Sequence, residues 1–128
     1  MGERPLPRVL IVDDFPGVAQ TMARLLATEA QVTVATSALD ALRLIETGEC
    51  FDLVLCDIMM PVMTGLQLFE RVRTVAPQVA RAFVFITGGL PPTLEEDLRA
   101  TGKRCLEKPV KLTELTKLLN SSKRPGSA

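Results

Sequence analysis

Five short apolar runs divide this chain of 128 residues, and segments with helical spacing alternate with them. The runs are typical of β-strands, and we expect strands at residues 8–12, 31–35, 51–56, 82–86 and 104–107. The run at 51–56 is nearly all apolar, as in a strand that is buried on both faces of a sheet. This alternation predicts an α/β fold, (βα)5, in which helices cover both faces of a five-stranded parallel sheet.

The segments between the strands repeat apolar residues every three or four positions, which indicates helices. We expect helices at about 16–29, 38–47, 64–75, 91–101 and 112–120. Ser37 is placed to cap the second helix, and Gly102 to end the fourth. The predicted buried faces carry Val18, Met22, Leu25 and Leu26 in the first helix, Leu66, Phe69, Val72 and Val75 in the third, and Leu112, Leu115, Leu118 and Leu119 in the last.

The length fits a single domain. Residues 1–7 form a Pro-rich lead that we expect to be disordered, and residues 121–128 form a polar tail that we expect to be flexible. The predicted domain therefore spans residues 8–120.

Composition excludes several functions. Lys plus Arg and Asp plus Glu both total 15, so the net charge is zero and a nucleic-acid partner is disfavoured. The chain has no histidine, so it cannot form a phosphohistidine itself. Cys50, Cys56 and Cys105 show no metal-binding spacing and are typical of reduced thiols in a cytoplasmic protein. No signal peptide and no apolar stretch of the ~20 residues needed for a membrane helix is apparent.

Polar side chains stand where the predicted strands end. Asp13 and Asp14 follow the first strand, Asp57 the third, Thr87 the fourth, and Lys108 the fifth. The ends of parallel strands share one edge of the sheet, and open α/β sheets place their sites in the crevice outside that edge. We therefore expect these side chains to converge.

Such a convergence would suit phosphoryl chemistry. Two carboxylates ~4 Å apart repel by roughly 4 kcal/mol at an effective dielectric near 20, so the cluster of Asp13, Asp14 and Asp57 requires protons or a cation. Oxygen ligands of this kind suit Mg²⁺. The cation and Lys108 would neutralise phosphoryl oxygens while an aspartate attacks in line, and Thr87 could donate a hydrogen bond to one of them.

Each residue also has a structural explanation when it is taken alone. The pair Asp13-Asp14 could cap a helix, Asp57 could be a solvated loop residue, Thr87 a turn or cap residue, and Lys108-Pro109 a turn. Their joint occurrence at successive strand ends favours the functional interpretation.

This set of residues resembles the receiver domain of bacterial two-component response regulators. The resemblance covers about residues 8–120, and its most specific segment is Asp57-Ile58-Met59-Met60-Pro61-Val62-Met63-Thr64-Gly65. It implies a flavodoxin-like doubly wound fold with strand order 2-1-3-4-5.

The resemblance also implies roles for individual residues. Asp57 would be the phosphoacceptor. Mg²⁺ would be bound by Asp13, Asp14, Asp57 and the backbone carbonyl of Met59, while Thr87 and Lys108 would contact the phosphoryl group. The donor would be a histidine kinase or a phosphotransfer protein. A downstream protein would bind the face made by the fourth helix, fifth strand and fifth helix.

One departure from the family concerns the switch positions, Thr87 and Cys105. Relatives usually carry Tyr or Phe three residues before the lysine, where this chain has Cys105, so an interaction module that works without phosphorylation is an alternative. An aspartate-dependent phosphatase is a further alternative. That class places a second Asp two residues after the first, where this chain has Met59, so we expect no enzyme.

Overall fold

The computed structural model describes residues 6–122, and of Ser122 it describes only the backbone. The elements are β1 (Arg8–Val12), α1 (Pro16–Leu26), β2 (Gln31–Ala35), α2 (Ala38–Glu46), β3 (Leu53–Asp57), α3 (Gly65–Val75), α4 (Pro77–Ala80), β4 (Phe83–Thr87), α5 (Pro92–Thr101), β5 (Cys105–Glu107) and α6 (Leu112–Ser122).

All five strands pair in parallel, in the order β2-β1-β3-β4-β5. This confirms the predicted flavodoxin-like topology, in which the chain starts near the middle of the sheet and winds outwards in both directions. The order places the ends of β1 and β3 side by side, with β4 and β5 next to them. Every residue of β3 and of β4 is buried, as expected for central strands covered on both faces.

Two apolar cores cover the two faces of the sheet. On one face, α1 and α6 pack on alternate strand residues such as Val9 and Ile11. On the other face, α2 and α3 pack on residues such as Leu10 and Val54, with Phe69, Phe83 and Phe85 in edge-on or tilted contact. Alternate residues of one strand therefore serve different cores.

The helix faces differ in part from the prediction. Val18, Leu25, Val75 and Leu112 are exposed, whereas Ala19 and Leu68 are fully buried. In α1 the buried stripe is Ala19, Met22 and Leu26, because small Ala19 lets the helix approach the sheet with Val18 and Leu25 at its sides. Helical spacing alone allowed either Ala19 or Val18 to face the sheet. The orientation of the helix on the sheet decides which of the two is buried.

Three further differences are local. The four-residue helix α4 was not predicted, since a single turn carries no periodic signal. Pro7, assigned to the disordered lead, is buried, and its carbonyl accepts a hydrogen bond from the Gln31 N–H at 2.8 Å. Helix α6 continues to Ser122, into the predicted tail. Residues 1–5 and 123–128 lie outside the described part of the chain.

Candidate functional site

Four strand ends bring their polar side chains together at one edge of the sheet. The Lys108 ammonium lies 3.0 Å from Asp13 Oδ2 and 3.5 Å from Asp57 Oδ2. Asp13, Asp57 and Thr87 are the buried polar or charged side chains among the described residues. Parallel pairing produces this convergence, because Val12 is opposite Cys56 and Asp57 is opposite Ile86 in the ladder.

The three carboxylates form a compact set of oxygen ligands. One carboxylate oxygen from each of Asp13, Asp14 and Asp57 lies within 4.8 Å of the other two. Asp13 Oδ1 accepts a hydrogen bond from the Phe15 N–H at 2.9 Å, which fixes the orientation of that carboxylate. Asp13 Oδ2 and Asp14 Oδ1 are buried without a hydrogen-bond donor aligned on them, although Lys108 forms an ion pair with the former.

Those two buried oxygens indicate whether the site fits a metal ion. A buried carboxylate oxygen without a donor is costly unless a cation compensates it. Three clustered carboxylates also match the hard oxygen ligands that Mg²⁺ prefers. The residues present therefore fit a divalent cation held by Asp13, Asp14 and Asp57.

Burial and charge set the protonation of the site. Desolvation, and then the neighbouring charge of Asp13, raise the pKa of Asp57 to about 6, although Lys108 acts in the opposite direction. Burial alone would lower the pKa of Lys108, but its contacts with Asp13 and Asp57 outweigh burial and raise it. Lys108 therefore stays charged, and Asp57 is the carboxyl group whose charge is disfavoured.

The backbone around the site is held by hydrogen bonds between strand ends. The Lys108 N–H donates to the Thr87 carbonyl at 2.8 Å, and the Ile58 N–H donates to the Ile86 carbonyl at 3.0 Å. Thr87 Oγ1 accepts a hydrogen bond from the Gly89 N–H at 3.1 Å. The threonine hydroxyl is thus tied to the loop that leads into α5.

Comparisons with known proteins agree with this architecture. The profile of the response regulator receiver domain family matches residues 9–120. The chain belongs to this receiver family. Members are signalling modules that interact with histidine kinases and phosphotransfer proteins, and phosphorylation and magnesium are typical of the family.

Individual relatives of this receiver domain are distant. Two-component response regulator ORR12 of rice is 29% identical over 117 residues, covering 89% of this chain and 96% of the relative. Response regulator ORR1 of rice is also 29% identical, over 94% of this chain, but the chain spans only 57% of its length. The solved structure of Vibrio cholerae chemotaxis protein CheY4 is similar, with a TM-score of 0.78, 27% identity, and coverage of 91% of this chain and 98% of that one.

The predicted switch position lies at the margin of the receiver's core. Cys105 is partly buried and packs, with Leu90, Leu94 and Leu98, against the core on the α2–α3 face. Burial, and then the charge of Glu107, raise the pKa of its thiol. Met59, two residues after Asp57, has a side chain that is 45% exposed.

Two features of the site were missed by sequence reasoning. A Cβ atom added at Gly65 would overlap the carbonyl oxygen of Asp57, so this glycine lets α3 start close against the end of β3. A groove of about 780 Å³ also runs beside Lys108. The groove is lined by Phe15, Val18, Met22, Leu25 and Pro109 among others. No signal in the sequence pointed to it, because helical spacing placed Val18, Met22 and Leu25 on the buried face of the first helix.

Within residues 6–122, no helix combines the length and the apolar character required to cross a membrane.

Proposed function

We propose that this receiver domain accepts a phosphoryl group on Asp57, with Mg²⁺, and thereby changes its affinity for a partner protein. The observation that supports this most is the contact of Lys108 with both Asp13 and Asp57 beside two buried carboxylate oxygens that lack an aligned donor. Together with the family assignment, this arrangement supports a site that binds a cation and a phosphoryl group rather than a structural ion pair alone.

Asp57 would act as the nucleophile. One of its oxygens forms a bond to phosphorus, while the bond from phosphorus to the donor atom breaks and its electrons leave with the donor. With a pKa of about 6, Asp57 is ionised in most molecules at pH 7, even before a cation lowers that pKa further. The product is an acyl phosphate at the end of β3.

The neighbouring residues would bind the transferred group. Lys108, which stays protonated, offsets the charge on the phosphoryl oxygens, and Thr87 is placed to donate a hydrogen bond once its hydroxyl turns to them. A divalent cation held by Asp13, Asp14 and Asp57, with the predicted carbonyl of Met59, supplies the remaining positive charge when it is bound.

These 128 residues contain no histidine, so the histidine that donates the phosphoryl group lies outside them. We infer a histidine kinase or a phosphotransfer protein, as is usual for the family. The exposed apolar groove beside Lys108 offers such a donor a surface next to the acceptor. We also infer that residues 8–120 act as one receiver domain, in the cytoplasm, without turnover of a substrate of their own.

Intact-mass measurement with Mg²⁺ and acetyl phosphate tests the acceptor. We expect the parent chain and Asp40→Asn to gain one phosphoryl group and Asp57→Asn to gain none. Asp40 is a matched control, since it is a surface acid whose one ion pair within residues 6–122 is with Arg43. Equal labelling of Asp57→Asn would show that the acceptor is another residue.

Cys105 supports one second candidate, a receiver-like interaction module that works without phosphorylation. Cys105 is partly buried, and it stands at the position where the family usually carries an aromatic ring. This candidate requires partner affinity to be the same with and without acetyl phosphate, so a several-fold shift would exclude it.

A further inference from the structure

The two edge strands of the sheet are protected differently. Strand β5 has three residues, Lys103 and Arg104 precede it, and Lys108-Pro109 follows it. Short length, charges and proline are the devices that keep an edge strand from pairing with another chain. Strand β2, at the other edge, has five residues, Gln31–Ala35, and none of them is charged, glycine or proline. Strand β2 therefore lacks the protection that β5 has.

The hydrogen bonds of β2 show which of its residues face the sheet. The Gln31 N–H donates to the Pro7 carbonyl at 2.8 Å, and the Ala35 carbonyl accepts from the Asp13 N–H at 3.1 Å. Successive residues of a strand alternate in direction, so every second residue of β2 bonds to β1. Gln31, Thr33 and Ala35 are therefore the residues whose backbone groups pair with β1.

The residues between them, Val32 and Val34, direct their N–H and carbonyl groups away from the sheet. Within residues 6–122, no group pairs with these two donors and two acceptors. The two valine side chains pack on the α1–α6 face and are partly buried. On the other face, a groove of about 370 Å³ opens between the edge and α2, lined by Val34, Ala35, Leu44 and Thr47 among others. Another strand can therefore reach this edge.

Charges of opposite sign flank the two ends of β2. Glu29 is exposed just before the strand and makes no ion pair within residues 6–122. Arg43 lines the groove beside the end of the strand, and its side chain is 73% exposed in an i, i+3 pair of the weak surface kind. An antiparallel neighbour of the same sequence would bring Glu29 of each copy towards Arg43 of the other, whereas a parallel neighbour would bring like charges together.

We propose that β2 pairs with β2 of a second copy of this chain, antiparallel about a two-fold axis, and so joins two five-stranded sheets into one. One register pairs all four outward groups of the strand, with Val32 of each copy opposite Val34 of the other. Thr33 then lies opposite Thr33 of the second copy as a non-hydrogen-bonded pair, with Cα atoms about 4.5 Å apart. β-Branched side chains face each other at all three positions, which favours cross-strand packing.

This pairing leaves the phosphoryl site free. Strand β2 lies at the edge opposite β5, and Asp57 and Lys108 follow other strands. The proposal therefore does not rest on the proposed function. An interface made of one strand edge and its flanking helices buries less than the ~1,200 Å² of stable complexes, so we expect a weak, reversible dimer that forms at high protein concentration.

Disulfide trapping tests the register. In a Cys50→Ser background, which removes the exposed thiol, Thr33→Cys and Gln31→Cys are oxidised with copper phenanthroline and followed by intact mass. We expect Thr33→Cys to form a disulfide-linked dimer at least about tenfold faster, since its Cα separation suits a disulfide. In the same register the two Gln31 Cα atoms would be about 14 Å apart, because each residue adds about 3.4 Å. Exposure alone favours Gln31, so equal or faster linkage of Gln31→Cys would overturn the proposal.

Sedimentation equilibrium tests the association itself at protein concentrations up to about 1 mM. We expect the average mass of the parent chain and of Thr33→Val to rise towards that of a dimer. Thr33→Lys should weaken association at least about tenfold, because two ammonium groups would face each other at the two-fold axis.

A second pair of variants lies outside the strand, so it remains informative if Thr33→Lys fails to fold. Glu29→Lys should weaken association about threefold at low salt, and adding Arg43→Glu should restore it. A parent chain that stays monomeric would overturn the proposal and leave the edge to an extended segment of another protein. Unchanged association in folded Thr33→Lys, or in Glu29→Lys, would overturn it as well.

Discussion

The ammonium group of Lys108 lies 3.0 Å from the fully buried carboxylate of Asp13, and the two residues come from opposite ends of the sequence. This ion pair links β1 to the end of β5 across two intervening strands. Because Lys108 also contacts Asp57, one cation faces two buried carboxylates. The site therefore retains excess negative charge, which a bound cation would relieve.

That excess charge should make stability depend on pH when no divalent metal is present. The folded-state pKa of Asp57 is about 6, against an ordinary value of 3.8, so the folded chain holds this proton more tightly than the unfolded chain. The associated stability is fully present below about pH 4 and is lost as pH rises through about 6. After allowance for solvent screening, we expect the free energy of unfolding to fall by about 1–2 kcal/mol as pH rises through this range. Urea unfolding in the presence of EDTA measures it.

Asp57→Asn isolates this effect, because it cannot ionise. We expect the variant to unfold at higher urea than the parent at pH 7.5 and to show a weaker dependence on pH, whereas Asp40→Asn should follow the parent. A parent as stable at pH 7.5 as at pH 4.5 would contradict the raised pKa.

Mg²⁺ should stabilise the folded chain, since the carboxylate cluster exists only after folding. At a concentration 100 times its dissociation constant, a ligand that binds only the folded state adds about 2.7 kcal/mol to the free energy of unfolding. We expect Mg²⁺ to raise the melting temperature of the parent and of Asp40→Asn, and to have little effect on Asp14→Ala. An equal increase in all three proteins would place the ion elsewhere.

Gly65→Ala should destabilise the domain by about 2–4 kcal/mol, because the new methyl group would overlap the Asp57 carbonyl oxygen and cannot be relieved by a side-chain rotation. Gly17→Ala is a matched control, since its Cβ would meet nothing within 4 Å and Gly17 lies in α1. We expect Gly17→Ala to raise the free energy of unfolding by about 0.5–1 kcal/mol, because alanine has a higher helix propensity than glycine. Urea denaturation measures the free energy of unfolding of both variants. Similar free energies for the two would refute the close approach of Gly65 to the Asp57 carbonyl.

Val62→Asn should stabilise the domain by about 1 kcal/mol. Val62 has a φ of 73°, which is strained for a β-branched residue, and its side chain is 92% exposed, so little packing is lost. Asparagine tolerates this conformation better. Val75→Asn, at an exposed position in α3, should be neutral or slightly destabilising, and thermal unfolding of both variants distinguishes relief of strain from a general effect of polarity.

Patterns that act along the chain were sufficient to predict five strands in a parallel sheet, whereas the strand order was implied by the family resemblance. Strands such as Leu53–Asp57 are recognisable because burial on both faces demands continuous apolar residues, and parallel pairing then gathers the residues that follow them. Asp13, Asp57 and Lys108 were expected at one edge for that reason, and the structure brings them together. Their roles in phosphoryl transfer remain predictions.

Features that depend on distances between elements came only from the tertiary structure. The unpredicted helix α4, the exposure of Val18, and the close approach of Gly65 to Asp57 are set by how neighbouring elements pack. The same is true of the raised pKa of Asp57, which requires burial and a second carboxylate nearby. Sequence periodicity specifies which residues can be buried, but the free energy of packing and desolvation is decided by contacts between residues far apart in the chain.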